Sequence, residues 1–324
     1  AADRPAIVHF HNTLPLVSPS GYYAASAMGI PVVQTLHNYR LSCVNALLFR
    51  DGRPCEDCLG KFVAWRGITR RCYRNSYASS ATVAAVSSLH RLMGTWRSKI
   101  DAYIALSEFS RRKFIAGGLP ADKITVKPNL IGDHPVIGHQ PQGYILFVGR
   151  LSAEKGIDVL LKAWEHLAHP VELRIAGDGP LGGLVQRAAN RNSAIHWLGE
   201  ISKQEVWTQL AGADALVLPS LCYENFPLSL IEAGAAGVPA IASDHGALAE
   251  LIDPGVTGLL FRPGDAQDLA DCVTTLHDKP DLKAELGNNV QAHFKSRFSA
   301  ETNYRQLMDI YAAAIRNTQN FANR

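Results

Sequence analysis

Short apolar runs alternate along this chain with stretches whose apolar residues recur every three or four positions. That alternation separates buried strands from amphipathic helices. PAIVHFH (5–11) reads as a buried strand and PVVQTLH (31–37) as the next, with a short helix in SPSGYYAASAMG ending at Gly29. Strand, helix, strand at this spacing predicts a parallel α/β sheet. Residues 76–94, rich in small side chains, read as a helix, and IDAYIALS (100–107) as a strand. A helix follows from Glu108 to about Ala116, stopped by Gly117-Gly118, and KITVKPN (123–129) is the last strand of this half. IGDHPVIGHQPQG (131–143), dense in Gly, Pro and His, reads as a linker. Beyond it, GYILFVGRLSAEKGIDVLLKAW predicts a strand, a turn at Gly149-Arg150 and a helix from near Lys155-Gly156. Strands are expected again at VELRIAG, AIHWLGEI (194–201), ALVLP (215–219) and PAIAS (239–243). Helices are expected at KQEVWTQLAGA, at a short segment with Pro227 in its first turn and Gly237-Val238-Pro239 at its end, at SDHGALAELI, and from about 266 to 317. The organisation expected is a first domain over 1–130, a linker over 131–143 and a second domain over 144–300. A final helix over 301–324 is expected to cross back to the first domain.

Composition adds little to this picture, but charge distribution adds more. A chain of 324 residues, 47% hydrophobic and 19% charged, has room for two globular domains. No apolar run approaches the roughly 20 residues of a membrane span. Net charge is only +3, yet between Lys61 and Lys113 eleven Lys or Arg face two acids, Asp101 and Glu108. Such a field attracts anionic surfaces. The region has no nucleic-acid-reading signature, so the partner expected is an anionic membrane rather than nucleic acid; a solvated face with no partner is the alternative.

Candidate chemistry gathers in the second half. Glu224 lies on the approach to a helix and Glu232 well inside it, so the two carboxylates straddle a helix N-terminus. Free N–H groups and partial positive charge at that end suit a phosphate, and a carboxylate on either side can accept hydrogen bonds from hydroxyls. Phosphate between two sets of hydroxyls describes a nucleotide sugar. Gly149 lets backbone approach a ligand, while Arg150 and Lys155 bring positive charge to the same strand end. Gly177-x-Gly179-x-x-Gly182 satisfies a dinucleotide fingerprint literally, but Pro180 interrupts the turn. The acid that should end the next strand, Glu200, follows a strand beginning only at Ala194. A nicotinamide cofactor is excluded on that count. In the first half, His9, His11 and His37 lie near the carboxyl ends of two strands, where open α/β sheets bind ligands. Cys43, Cys55, Cys58 and Cys72 contain one C-x2-C knuckle and are candidates for a structural zinc, against reduced packed thiols or a disulfide. Cys222 and Cys272 read as small buried hydrophobes.

The spacing Glu224-x7-Glu232 followed by Ala233-x-x-x-Gly237-x-Pro239 resembles the retaining glycosyltransferases of family 4, as do Gly149-Arg150…Glu154-Lys155-Gly156, Gly177-Asp178-Gly179-Pro180 and TLHNYR (35–40). The resemblance implies the GT-B fold: two Rossmann-like α/β/α domains facing a cleft. It assigns Glu224 to the donor sugar, Glu232 to the ribose, and Arg150 and Lys155 to the diphosphate. Asn225, Phe226, Pro227 and Leu228 fall in the donor loop. Gly177 and Gly179 border the nucleotide, Trp197, Leu198 and Gly199 the base, and Gly258, Leu259 and Leu260 lie near the nucleotide. It makes His37 the catalytic candidate of the first domain, beside Asn38 and Arg40, with His11-Asn12 a weaker claimant. A cysteine-bearing insertion after this segment resembles a subgroup of the family. The family's usual opening βαβ unit, with its Gly-rich loop, has no counterpart here, so the first domain is expected to be truncated at its N-terminus. The implied reaction moves a sugar from a nucleoside-diphosphate sugar to a glycan or lipid-linked acceptor, as in polysaccharide biosynthesis. Retention of configuration is implied, and in the absence of an Asp-x-Asp pair the chemistry is expected to be metal-independent. The setting implied is cytoplasmic, with peripheral contact at the inner membrane face. A nucleotide-sugar epimerase or hydrolase, and a non-catalytic nucleotide-sugar-binding subunit, are the alternatives.

Overall fold

The computed structural model describes residues 4–13, 17–131 and 139–322, the last four as backbone only. Most of the predicted linker therefore lies outside the described residues. Backbone contacts divide the chain into two units. The first comprises Ala1–Arg50, Pro54–Asn129 and Glu301–Arg324; the second comprises Leu130–Ala300 with Asp51–Arg53.

In the first unit, β1 (Val8–His11), α1 (Ser20–Ala27) and β2 (Val32–Thr35) form the predicted strand–helix–strand start. A two-residue hairpin, β3 (Phe49–Arg50) and β4 (Arg53–Pro54), and the short helix α2 (Trp65–Thr69) follow. The longer α3 (Tyr77–Leu92) comes next, then α4 (Thr95–Ser98), β5 (Ala102–Ala105), α5 (Glu108–Ala116) and β6 (Ile124–Val126). Local chemistry sets the helix starts. Ser76 Oγ accepts the Ser79 N–H at 3.3 Å to open α3, and Ser107 and Ser110 form a reciprocal capping box on α5. The sheet runs β1-β2-β5-β6, all parallel, with every residue of β2 buried. The central strands β2 and β5 are buried along nearly their whole length, as the apolar character of their sequences requires.

The second unit is built from β7 (Tyr144–Val148), α6 (Ile157–His166), β8 (Glu172–Ala176), α7 (Gly182–Arg191), β9 (Ile195–Gly199) and α8 (Lys203–Gly212). It continues through β10 (Ala213–Leu218), α9 (Leu228–Ala236), β11 (Ala240–Ser243), α10 (Gly246–Leu251), β12 (Gly258–Phe261), α11 (Ala266–Asp278) and α12 (Pro280–Arg297). Its sheet is parallel in the order β12-β11-β10-β7-β8-β9. The chain builds outward from β7 to β9, then returns to the other side of β7 and builds outward again. Strand order thus reverses between β7 and β10. Ile145, Phe147, Leu173, Ile175, Val217 and Ile241 fill the core from the sheet, and Leu160, Trp164, Leu269 and Val273 from the helices. The last helix, α13 (Ala300–Ala322), packs Ile310 and Ala314 on Val33 and Ile104 of the first unit's sheet.

Candidate functional site

In an open parallel sheet the loops at the carboxyl ends part where strand order reverses, leaving a crevice for a ligand. The loops that meet there are those after β7 and β10. After β7, one turn of 3-10 helix (Ala153–Lys155) ends at Gly156, where φ is +71°. A Cβ at Gly156 would stand 1.8 Å from the Pro219 carbonyl oxygen, so only glycine lets this turn rest on the β10 loop. The Leu221 N–H donates to the Glu154 carbonyl at 2.9 Å and locks the two loops together. Lys155 Nζ consequently donates to Glu224 Oε1 at 2.6 Å, and Ser220 Oγ donates to the same oxygen at 2.6 Å. Burial works against the Lys155 ammonium, but the charge and hydrogen bond of Glu224 outweigh it and the pKa is raised. Lys155 is a fixed positive charge at neutral pH. His245, just after β11, lies with Nε2 2.8 Å from the Ser220 carbonyl. A carbonyl only accepts, so Nε2 carries the proton; burial lowers the pKa of the ring.

Pro227 is the N-cap of α9, one position earlier than its predicted place inside the first turn. Its fixed φ, here −72°, still leads the chain into the helix. No side chain caps this end and no acid lies in its first turn, so the leading N–H groups present an uncompensated positive end. Leu228 is exposed there, while Phe226 is buried edge-on to Phe298 with ring centroids 6.0 Å apart. Asn225 completes the loop between Glu224 and Phe226. Glu232 sits a turn further on. Burial raises its pKa against the opposing pull of Lys203, and no hydrogen bond reaches it among the described residues. At the helix end Gly237 adopts φ +75°, as a C-terminal stop requires.

Close backbone approach accounts for the Gly177-x-Gly179 pair. Cβ atoms would fall 1.9 Å from the Gly149 carbonyl oxygen at Gly177 and 2.5 Å from that of Leu151 at Gly179. The Gly177 N–H donates to the Gly199 carbonyl at 2.7 Å and the Leu151 N–H to the Asp178 carbonyl at 2.9 Å. These glycines lace the turns after β7, β8 and β9 into one layer. Trp197 spends its indole N–H on the Gly177 carbonyl at 2.9 Å, bracing that layer, with Leu198 half-buried beside it. Arg150 is exposed on the β7 turn.

In the first unit the three histidines form a ladder. His11 Nδ1 lies 2.7 Å from His37 Nε2, and the His9 and His11 rings are 4.3 Å apart. His9 is held on both sides, Nδ1 to Tyr311 Oη at 2.7 Å and Nε2 to Thr35 Oγ1 at 2.8 Å. Burial, the two other histidines and Lys127 push the His9 pKa down to about 4, and burial lowers His11 and His37 as well. Lys127 is buried and donates to Asn303 Oδ1 at 2.8 Å. Arg40, named beside His37 in the sequence, bonds the Val44 carbonyl and stacks on Tyr73, 4.9 Å from the ring centroid.

The four cysteines of the zinc expectation all lie in the first unit. Among the described residues no three His, Cys, Asp or Glu side chains are placed to hold a metal ion, and Cys43, Cys55, Cys58 and Cys72 are free of disulfides. Cys43 donates its thiol to Asn45 Oδ1 at 2.9 Å. Burial raises the Cys43 and Cys72 thiols, and burial with the neighbouring Cys43 pushes Cys58 up to about 11. Cys222 is buried as expected, its thiol raised by burial to about 12. Ser220, His245, Lys127 and Tyr311 were not singled out from sequence. Three of them follow a strand directly or within two residues, which was the available signal.

Two domain descriptions match the chain: a glycosyl transferase 4-like domain over residues 1–130 and glycosyl transferases group 1 over residues 133–293. Among curated relatives, the amylovoran biosynthesis glycosyltransferase AmsK of Erwinia amylovora is 31% identical over 229 residues, 65% of this chain and 56% of that protein. The phosphatidyl-myo-inositol mannosyltransferase of Mycobacterium leprae is 29% identical over 214 residues, 62% of this chain and 56% of that one. The chain thus spans about half the length of these relatives. Among solved structures, HepE of Anabaena in complex with UDP and glucose aligns at TM-score 0.69 and 21% identity, over 90% of this chain and 74% of that one. Sucrose-phosphate synthase of Thermosynechococcus elongatus aligns at TM-score 0.71 and 21% identity, over 98% and 74%. The fold is that of the GT-B glycosyltransferases. The chain belongs to family 4 of these enzymes, the glycosyl transferases group 1.

Proposed function

We propose that this protein transfers a glycosyl unit from a nucleoside-diphosphate sugar, with a uridine diphosphate carrier, to a glycan or lipid-linked acceptor. The observation that carries the reading is the Lys155–Glu224–Ser220 cluster at the strand-order reversal, beside the uncapped start of α9. The uridine carrier is suggested by HepE, which holds UDP and UDP-glucose in its complexes. Arg150, Lys155 and the α9 N-terminus would receive the charge that grows on the departing diphosphate. Preorganised positive charge of this kind is often the largest catalytic term. Glu224, fixed by two donors, retains acceptor capacity for sugar hydroxyls, and Glu232 is left to accept from ribose. His37 is assigned to substrate hydroxyls in the first unit. We infer retention of configuration, from family membership, and a leaving group stabilised by these cations without a divalent metal. Calorimetric titration with UDP, GDP and ADP tests the donor half: saturable binding of UDP, lost in Glu232→Ala, is expected. Failure of a folded protein to bind any of the three would overturn the reading. The anomeric configuration of the product, read by proton NMR with UDP-glucose as donor, tests retention, and inversion would refute it.

A further inference from the structure

The loop after β10 is tied from two sides. On the β7 side the Glu154 carbonyl accepts the Leu221 N–H at 2.9 Å and the Cys222 N–H at 3.3 Å. On the β11 side the tie is a side chain. His245 donates from Nε2 to the Ser220 carbonyl at 2.8 Å, and its ring lies against that of Tyr223 with centroids 5.7 Å apart. Ser220 is only 2% exposed, so water has little access to replace this donor. The histidine stands on a firm base. The Asp244 N–H donates to the Phe261 carbonyl at 2.8 Å, extending the β11–β12 pairing that ends at Ser243 and Phe261.

Position 245 is the N-cap of α10, where Ser, Thr, Asp or Asn ordinarily satisfies the first helical N–H groups. The His245 side chain makes no capping bond and spends its donor on the neighbouring loop instead. The consequence runs through Ser220, whose carbonyl and hydroxyl are both engaged. The carbonyl takes His245, while the hydroxyl donates to Glu224 Oε1 at 2.6 Å, the oxygen that Lys155 also reaches at 2.6 Å. A turn of the Ser220 backbone that released the carbonyl would swing the hydroxyl away as well. The contact does not switch with pH, because the neutral ring in this tautomer and the imidazolium both carry the Nε2 proton.

We propose that His245 is a positioning residue for Glu224: it braces Ser220 from the β11 side and so holds the carboxylate against Lys155. The chain of contacts stands by itself; that it serves donor binding rests on the glycosyl-transfer reading. Acetylation by an N-hydroxysuccinimide ester, followed lysine by lysine in mass spectrometry, tests the brace. Lys155 is protected by its ion pair with Glu224, and Lys283, paired with Asp214 at 2.6 Å in the same unit, serves as the internal reference. His245→Leu should speed labelling of Lys155 about threefold or more and leave Lys283 unchanged. His245→Gln, whose amide nitrogen reaches as far as Nε2, should restore the parental rate; His245→Asn, one carbon shorter, should not. In Glu224→Gln, where the partner charge is gone, His245→Leu should add nothing. UDP affinity is expected to follow the same order, about tenfold weaker in His245→Leu and recovered in His245→Gln. Parental labelling of Lys155 in His245→Leu, equal acceleration of Lys283, or equal rescue by Gln and Asn would overturn the brace. UDP affinity equal in all variants would overturn its part in donor binding. The expected labelling in a protein that takes up no UDP would refute the donor reading and leave the brace standing. UDP uptake by a protein whose Lys155 is indifferent to position 245 would do the reverse.

Discussion

Glu232 holds its carboxyl in a half-buried position where the ionised form is penalised. Its folded pKa lies above the unfolded value, so the folded state takes up a proton more readily. The stabilisation this gives is complete below the unfolded pKa and is lost as pH rises through the folded one. At neutral pH the ionised group therefore costs stability. Glu232→Gln should raise the apparent melting temperature at pH 7 by on the order of 1 °C or more, while weakening UDP binding about 10- to 100-fold. A variant that binds UDP as tightly as the parent would remove Glu232 from the site. His9 works in the opposite sense. Its pKa is lowered from 6.5 to about 4 by burial and by the charges of His11, Lys127 and His37, so the folded state resists protonation. Stability should fall as pH drops from about 6.5 towards 4. His9→Gln should flatten that slope in thermal melts taken across this range; an unchanged slope would assign the acid sensitivity elsewhere. Lys155 and Glu224, which the structure brings together, were legible in the sequence because a fixed spacing carried them. Ser220, which holds Glu224, and Tyr311, which holds His9 from 302 residues away, were not, since neither partnership leaves a local pattern.

Most strands and the longer helices were legible for a physical reason. Strands buried on both faces read as apolar runs, and Gly or Pro marks several of the element ends. The hairpin β3–β4 and the helices α2 and α4, of two to five residues, are too short to establish a period. For the four cysteines one C-x2-C knuckle fixes two positions only, so the sequence left zinc, packed thiols and a disulfide open; the structure forms no disulfide among them. The Gly177-x-Gly179 part of the resemblance to a dinucleotide loop has its explanation here too, since touching backbones demand glycine at both positions. Gly156 is the most informative case. It lets the turn after β7 rest on the loop after β10, and so sets Lys155 against Glu224. Gly156→Ala meets both a positive φ and the Pro219 carbonyl, and should destabilise the protein by about 1–3 kcal/mol. It should also weaken UDP binding more than Lys155→Ala, because it displaces both sides of the crevice. Denaturant melts and calorimetry with the two variants check this. A Gly156→Ala protein with parental stability and affinity would show that the loops do not depend on this contact.

The order of the chain does not follow the order of its units, because α13 comes last in sequence yet completes the first sheet. Ile310 and Ala314 are 6% and 1% exposed on Val33 and Ile104, Tyr311 holds His9, and Asn303 satisfies the buried Lys127. Ending the chain after Ala300 removes all of these at once. Exposed Val33 and Ile104 each lose burial worth about 1.5–3 kcal/mol, and Lys127 is left with less compensation for its desolvation. The second unit has its own six-stranded sheet and a core to which α13 contributes nothing among the described residues. Truncation should therefore unfold or loosen the first unit while UDP affinity stays within about threefold of the full chain. Amide exchange gives the readout: β2 and β5 should lose protection, and β7, β8 and β10 should keep it. Retained protection in β2 and β5 would mean that the first sheet is stable without its last helix. Loss of UDP binding with β7 and β10 still protected would instead show that the donor site needs groups outside the second unit.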